Sequence, residues 1–343
     1  MPYSGPSSSL YYNFLQNLDD METAITEMGG LKTTRIIVFL STSETESKLI
    51  EIRYDKGECT RNVLKVYGTY DHTSREGIAN ILKDVKHYTP APTYAIITGC
   101  HGEGWLPKLR DNDKLKYFGG GISKYQIDID DFAGALSDAG IHAQFLLFDD
   151  CYLSCVEVAY SLRNVTDYLI ASTSEVMNYG MPYHKILKYL VGDNPDYNQV
   201  CNDFLTFYSS YTYPYGTLGV TDCRNMDAMA AMMKEINATH EYSTETNSEL
   251  QDLDGGHSEP TRYFDFGDYV RHLCGNDEAT YDRYNILLKQ LVPYKVNTPS
   301  FYSGRDGSVT PIKTFSGITV SDPSIDAKAM ASKMNTLWWK ATH

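Results

Sequence analysis

The chain has 343 residues, 42% hydrophobic and 22% charged, enough for a large buried core and inconsistent with wholesale disorder. Thirty Lys and Arg against 44 Asp and Glu leave a net charge of −14, which argues against a chain-wide nucleic-acid footprint and against an anionic membrane surface as partner. The longest apolar runs, such as 36–40 and 145–148, fall far short of the roughly 20 residues a membrane-spanning helix needs.

In chain order, Leu10, Phe14, Leu18, Met21 and Ile25 recur at spacings of three and four, which predicts an amphipathic helix over 10–28 ending at Gly29-Gly30. The β-branched run 35–40 reads as a strand buried in a parallel sheet, and 48–54 as an alternating strand at an edge. Helix 78–85 and buried strand 94–98 follow, the strand ending in Gly-Cys-His-Gly. A polar loop from 103 to 125 leads to helix 130–139, strand 145–148, a helix from 156 and strand 168–172. Further helices are expected at 197–208, 226–236, 263–273 and 286–292, with strands at 218–221 and 317–320. The methionines of 226–236 read as core filler. Strands alternating with helices predict an α/β fold, a mostly parallel sheet with helices on both faces. A larger domain over 1–225 and a helical or mixed C-terminal subdomain over 226–343 complete the expected organisation.

Seven cysteines at scattered positions, an odd number, predict no complete disulfide framework. The Cys151–Cys155 spacing lacks a second Cys or His pair and is a poor zinc signature, so no metal ligands are assigned. The first nine residues, MPYSGPSSS, have neither the charged nor the apolar region of a signal peptide.

Two strand ends carry the chemistry. His101 follows one strand and precedes Gly102, whose N–H can face an oxyanion. Cys151 follows the next strand, at what reads as a strand-to-helix junction, where a helix N-terminus and an imidazole would activate the thiol. Cys100 and Cys155 read as core. His101 precedes Cys151 by 50 residues, the order and spacing of caspase-type cysteine peptidases.

The motifs His101-Gly-Glu-Gly-Trp105 and Phe148-Asp-Asp-Cys-Tyr-Leu-Ser-Cys-Val-Glu-Val-Ala-Tyr160 resemble those of the clostripain-like cysteine peptidases, relatives of gingipains, legumains and caspases. The stretches Ala171-Ser-Thr-Ser-Glu175, Tyr179-Gly-Met-Pro-Tyr183, Tyr263-Phe-Asp-Phe-Gly-Asp-Tyr269 and Phe315-Ser-Gly-Ile318 extend the resemblance to most of the chain. It implies a caspase-like fold and an endopeptidase with a His101/Cys151 dyad. The N–H groups of Gly102 and Cys151 would form the oxyanion hole, and Asp149, with Ser172 and Tyr179, would line the substrate pocket. Cleavage after Arg or Lys is then expected, since a carboxylate at the pocket floor selects a cation. Strictness should be relaxed, because Tyr179 stands where the family has a second acid. Asp150, in place of a small residue, sets a second carboxylate beside the thiol and would raise its pKa unless it points away. By the same resemblance, the family's opening strand is expected to be missing or cut short at Met1-Pro-Tyr-Ser.

The resemblance further implies self-processing in the long polar loop, with Lys108, Arg110, Lys114, Lys116 and Lys124 as candidate cleavage sites. It implies a monomer acting on peptide or protein substrates, no required cofactor, room for a structural calcium ion, and a secreted or cell-surface bacterial enzyme. The competing expectation is a catalytically silent peptide-binding module on the same scaffold, favoured by Asp150 and Tyr179. A metal site built from Cys100, His101 and Cys151 is disfavoured, because adjacent strand residues point to opposite faces.

Overall fold

The computed structural model describes residues 10–43, 45–68, 71–107, 119, 126–255 and 260–343. Helix α1 (Tyr11–Glu27) forms where the period of Phe14, Leu18, Met21 and Ile25 places it and buries that face. Strands β1 (Ile36–Ser43), β2 (Glu46–Asp55) and β3 (Glu58–Tyr67) then make an antiparallel sheet of their own, in the order β1-β2-β3. This corrects two expectations: β1 is not part of a parallel sheet, and β2 is a middle strand rather than an edge. Ile36, Val38 and Leu40 pack on one core and Ile37 and Phe39 on another. The continuous apolar run reports that both faces are covered, and says nothing about strand direction.

Helix α2 (Arg75–Tyr88), capped by the Ser74 hydroxyl accepting the Gly77 N–H, leads to β4 (Tyr94–Gly99). Then come α3 (Ile129–Asp138), β5 (Ala143–Asp149), α4 (Val156–Leu162), β6 (Thr166–Ala171), α5 (Tyr183–Leu190), α6 (Tyr197–Ser210), β7 (Thr217–Asp222) and α7 (Met226–Asn237). The C-terminal part holds β8 (Phe264–Asp265), α8 (Phe266–Cys274), α9 (Glu278–Leu291), β9 (Tyr294–Asn297), β10 (Ser300–Tyr302), β11 (Val309–Pro311), β12 (Thr319–Val320), α10 (Ala327–Ser332) and α11 (Leu337–Thr342).

The central sheet runs β4-β5-β6-β7-β9. β4, β5 and β6 are mutually parallel, while β7 and then β9 join antiparallel. Alternation along β5 explains the layering: Phe145 and Leu147 enter a core shared with α1, α5 and α6, whereas Leu146 and Phe148 face α3, α4, α7 and α8. Met226, Met229, Met232 and Met233 of α7 are all buried, as core filler should be. The carboxyl ends of β4, β5 and β6 meet at one rim, where ligands of parallel sheets are expected.

Candidate active site

The register of the two parallel strands brings the motifs together. Gly99 of β4 lies opposite Asp149 of β5, so His101 and Cys151 each sit two residues beyond the same register pair. Neighbouring strands lie about 4.8 Å apart. His101 leaves β4 with its backbone paired to Gly119 through two 3.0 Å hydrogen bonds. Its neighbour Gly102 has room only for a hydrogen: a β-carbon there would overlap the Cys151 carbonyl oxygen and the Leu153 side chain.

Asp150 ties the two strand ends together. Its buried carboxylate accepts the Thr98 hydroxyl at 2.8 Å and the Cys100 N–H. The side chain thus turns toward β4, although its charge still helps to raise the thiol pKa.

Cys151 does not start a helix. The chain turns through Tyr152, held at φ 62°, and α4 begins only at Val156, with Cys155 as its N-cap. The expected helix N-terminus at the thiol is therefore absent, and so is its acidifying field. A left-handed Tyr costs roughly 1–3 kcal/mol. It is held here by stacking on Tyr263 and by its hydroxyl donating to Glu175 at 2.9 Å. The Cys151 thiol accepts the Val176 N–H at 3.3 Å. Burial above all, then the charges of Glu175, Asp150 and Glu103, push this thiol well up, against the Val176 hydrogen bond that lowers it. Both effects, burial and neighbouring charge, favour the neutral thiol of Cys151 over its thiolate. Cys155 and Cys100 are buried, burial drives both pKa values up, and all seven cysteines are free.

Asp149, at the last position of β5, is 7% exposed. Its carboxylate accepts the Met181 N–H at 3.0 Å, the Tyr183 hydroxyl at 3.0 Å and Asn17 Nδ2 at 3.3 Å. All three donors are neutral. Burial raises its pKa to about 7, and the nearby Asp150 adds to the rise. Gly180, at φ 76°, passes so close that a β-carbon would lie 2.7 Å from both Asp149 oxygens.

The other expected pocket residues are placed as follows. Ser172 is buried, its hydroxyl bonded to the Ser174 carbonyl and 2.8 Å from the Thr217 hydroxyl. Tyr179 is half-buried and donates its hydroxyl to Asp20 at 2.6 Å. His184 Nδ1 stands 3.2 Å from the same Asp20 oxygen. Sequence reasoning missed Asn17 and Asp20. The available signal was polar residues on the buried face of α1, between Phe14 and Met21. Lys108, Arg110, Lys114, Lys116 and Lys124 lie outside the described residues.

The sequence profile of the clostripain family of peptidases matches residues 3–292. The chain belongs to the clostripain family. Among solved structures, this clostripain-family peptidase is similar to a secreted C11 cysteine protease from Bacteroides thetaiotaomicron, called iotapain. The two are 43% identical, the match covers 100% of this chain and 97% of that one, and the TM-score is 0.91. A clostripain from the same organism, in complex with the peptide inhibitor BTN-VLTK-AOMK, is 49% identical over 66% of this chain and 99% of its own, with a TM-score of 0.63. An inactive zymogen C11 protease from Parabacteroides distasonis is 26% identical over 100% of this chain and 99% of its own, with a TM-score of 0.84. No curated protein gives a significant match. The clostripain-family chain is thus a cysteine peptidase with a caspase-like mixed sheet. Among the described residues, no helix is long and apolar enough to cross a membrane, and no group of three or more His, Cys, Asp or Glu is arranged to hold a metal ion.

Proposed function

We propose that the chain is a cysteine endopeptidase in which His101 and Cys151 act as a dyad and a basic residue is preferred at P1. The observation that carries this reading is the shared register of the two residues beyond Gly99 and Asp149. In the proposed reaction His101 removes the thiol proton as Cys151 Sγ attacks the scissile carbonyl carbon, then returns a proton to the leaving amine. A thiol held above its usual range fits deprotonation during attack rather than a stored ion pair. The N–H groups of Gly102 and Cys151 would receive the developing oxyanion.

The preference for Arg or Lys rests on Asp149, a buried acid whose partners are all uncharged donors. A substrate cation would supply its missing counter-charge. The lysine in the VLTK inhibitor of the 49% identical relative supports the same preference. Secretion is proposed on the description of iotapain as secreted. Cleavage of a positional-scanning peptide library, with Cys151→Ala as control, tests the reading: products should end in Arg or Lys and vanish in the variant. Products spread evenly over all P1 residues would overturn the basic preference.

A second reading, a silent peptide-binding module, is favoured by one observation, the carboxylates that raise the Cys151 pKa. Covalent labelling of Cys151 by a peptide-directed thiol probe separates the two.

A further inference from the structure

Helix α1 and the loop after β6 both reach Asp149. Asn17 is 5% exposed, gives its Nδ2 to Asp149, and leaves its Oδ1 without a hydrogen-bond partner among the described residues. A buried acceptor left empty costs free energy unless a donor arrives. One helical turn on, Asp20 is 7% exposed and presents Oδ2 to the Tyr179 hydroxyl, with Gln16 Nε2 on Oδ1. Side chains three apart on a helix are neighbours, with Cβ atoms about 5–6 Å apart, so Asn17 and Asp20 lie on one face. The loop between β6 and α5 closes the arrangement. Tyr179 touches Asp20, Gly180 packs on the Asp149 carboxylate, and Met181 donates to it. Two segments thus link the two acids: α1 carries Asp20 and gives Asn17 to Asp149, and the loop gives Tyr179 to Asp20 and Met181 to Asp149. Tyr179 and Asn17 are uncharged, and among the described residues the ionisable nitrogen that contacts Asp20 is that of His184.

Resting on the basic-P1 reading above, we propose that Asp20 of α1 is a second carboxylate of the P1 pocket, with Asn17 Oδ1 as an added acceptor for the substrate cation. The pocket then carries two acids on two elements, Asp149 from the sheet and Asp20 from the first helix. Helix α1 becomes a specificity element and not only a cover for the sheet. Tyr179 is a positioning residue: its hydroxyl holds the Asp20 carboxylate toward the loop that lines the pocket.

The test compares kcat/KM for matched peptides with arginine or norleucine at P1, in wild type, Asp20→Asn, Asp149→Asn and the double variant Asp20→Asn/Tyr179→Asp, alongside thermal melting. Asp20→Asn should lower the arginine-to-norleucine ratio about tenfold, mainly through KM, as expected for loss of a charge-assisted contact. The double variant, which moves the acid across the Tyr179–Asp20 contact, should restore most of the ratio. An Asp20→Asn ratio equal to wild type, with Asp149→Asn still lowering it, would overturn the role of Asp20 and leave the basic-P1 reading standing. A lowered ratio that Tyr179→Asp does not restore, or equal loss on both peptides with a fallen melting temperature, would show a structural role and overturn it as well. A wild-type ratio near one would overturn the basic-P1 reading itself.

Discussion

Gly102 lies with its Cα against the backbone of Cys151, so close that a β-carbon would come within 2.9 Å of the Cys151 amide nitrogen and overlap its carbonyl oxygen. The histidine strand end and the cysteine turn are therefore in backbone contact. Gly102→Ala must push the two apart. We expect kcat to fall about 100-fold or more, as displacements near 1 Å do at a reacting centre, with the far-ultraviolet circular dichroism unchanged. Activity within twofold of wild type would show that the contact does not position the site.

Asp150 should act through geometry. Asp150→Ala strands the buried Cys100 N–H and Thr98 hydroxyl, at a cost of about 1–3 kcal/mol, and loosens the strand end that carries His101. Asp150→Asn keeps an acceptor and removes a charge that raises the Cys151 pKa. Urea unfolding should show the Ala variant clearly less stable and the Asn variant close to wild type. Iodoacetamide labelling of Cys151 near pH 8 should be faster in the Asn variant than in wild type.

If Asp149 selects the P1 cation as proposed, specificity depends on pH. Its pKa rises from 3.8 to about 7 through burial, so the folded protein holds this proton where the unfolded chain has lost it. Its contribution to stability is therefore present below pH 4 and lost as pH rises toward 7. The change in melting temperature caused by Asp149→Asn should be more favourable at pH 8 than at pH 5. For wild type, the preference for a P1 arginine peptide over a neutral one should grow between pH 6 and 8, because the cation needs the ionised acid. A preference that is flat with pH would contradict the assignment.

Much of the candidate site's placement was legible because its residues follow strand ends. The short apolar runs around Ile96 and Leu147 announced strands, and the residues that followed, His101-Gly102 and Asp149-Asp150-Cys151, had to fall on one rim. The thiol's surroundings were not legible. Nothing in Cys-Tyr-Leu-Ser-Cys signals that Tyr152 takes a left-handed conformation and delays the helix to Val156. Strand β3 escaped because most of its side chains, among them Thr60, Arg61 and Asn62, face solvent, and without a buried face the period-2 signal fades. Asn17 and Asp20 were hidden because the apolar period of α1 survives around them.

Self-processing is expected in the segment carrying Lys108, Arg110, Lys114, Lys116 and Lys124. Mass spectrometry of freshly made protein should find two fragments joined noncovalently, cut after one of these residues, and an intact Cys151→Ala chain. An intact, fully active wild-type chain would contradict it, as would a Cys151→Ala chain cut at the same bond.

The central claim is the His101/Cys151 dyad, and the most direct measurement is the site of covalent capture by a peptidyl acyloxymethyl ketone ending in lysine or arginine. Peptide mapping should place the adduct on Cys151 alone, and His101→Ala should slow labelling by about 100-fold or more while the protein stays folded. An adduct on Cys155, or labelling of Cys151 at an unchanged rate without His101, would contradict the account.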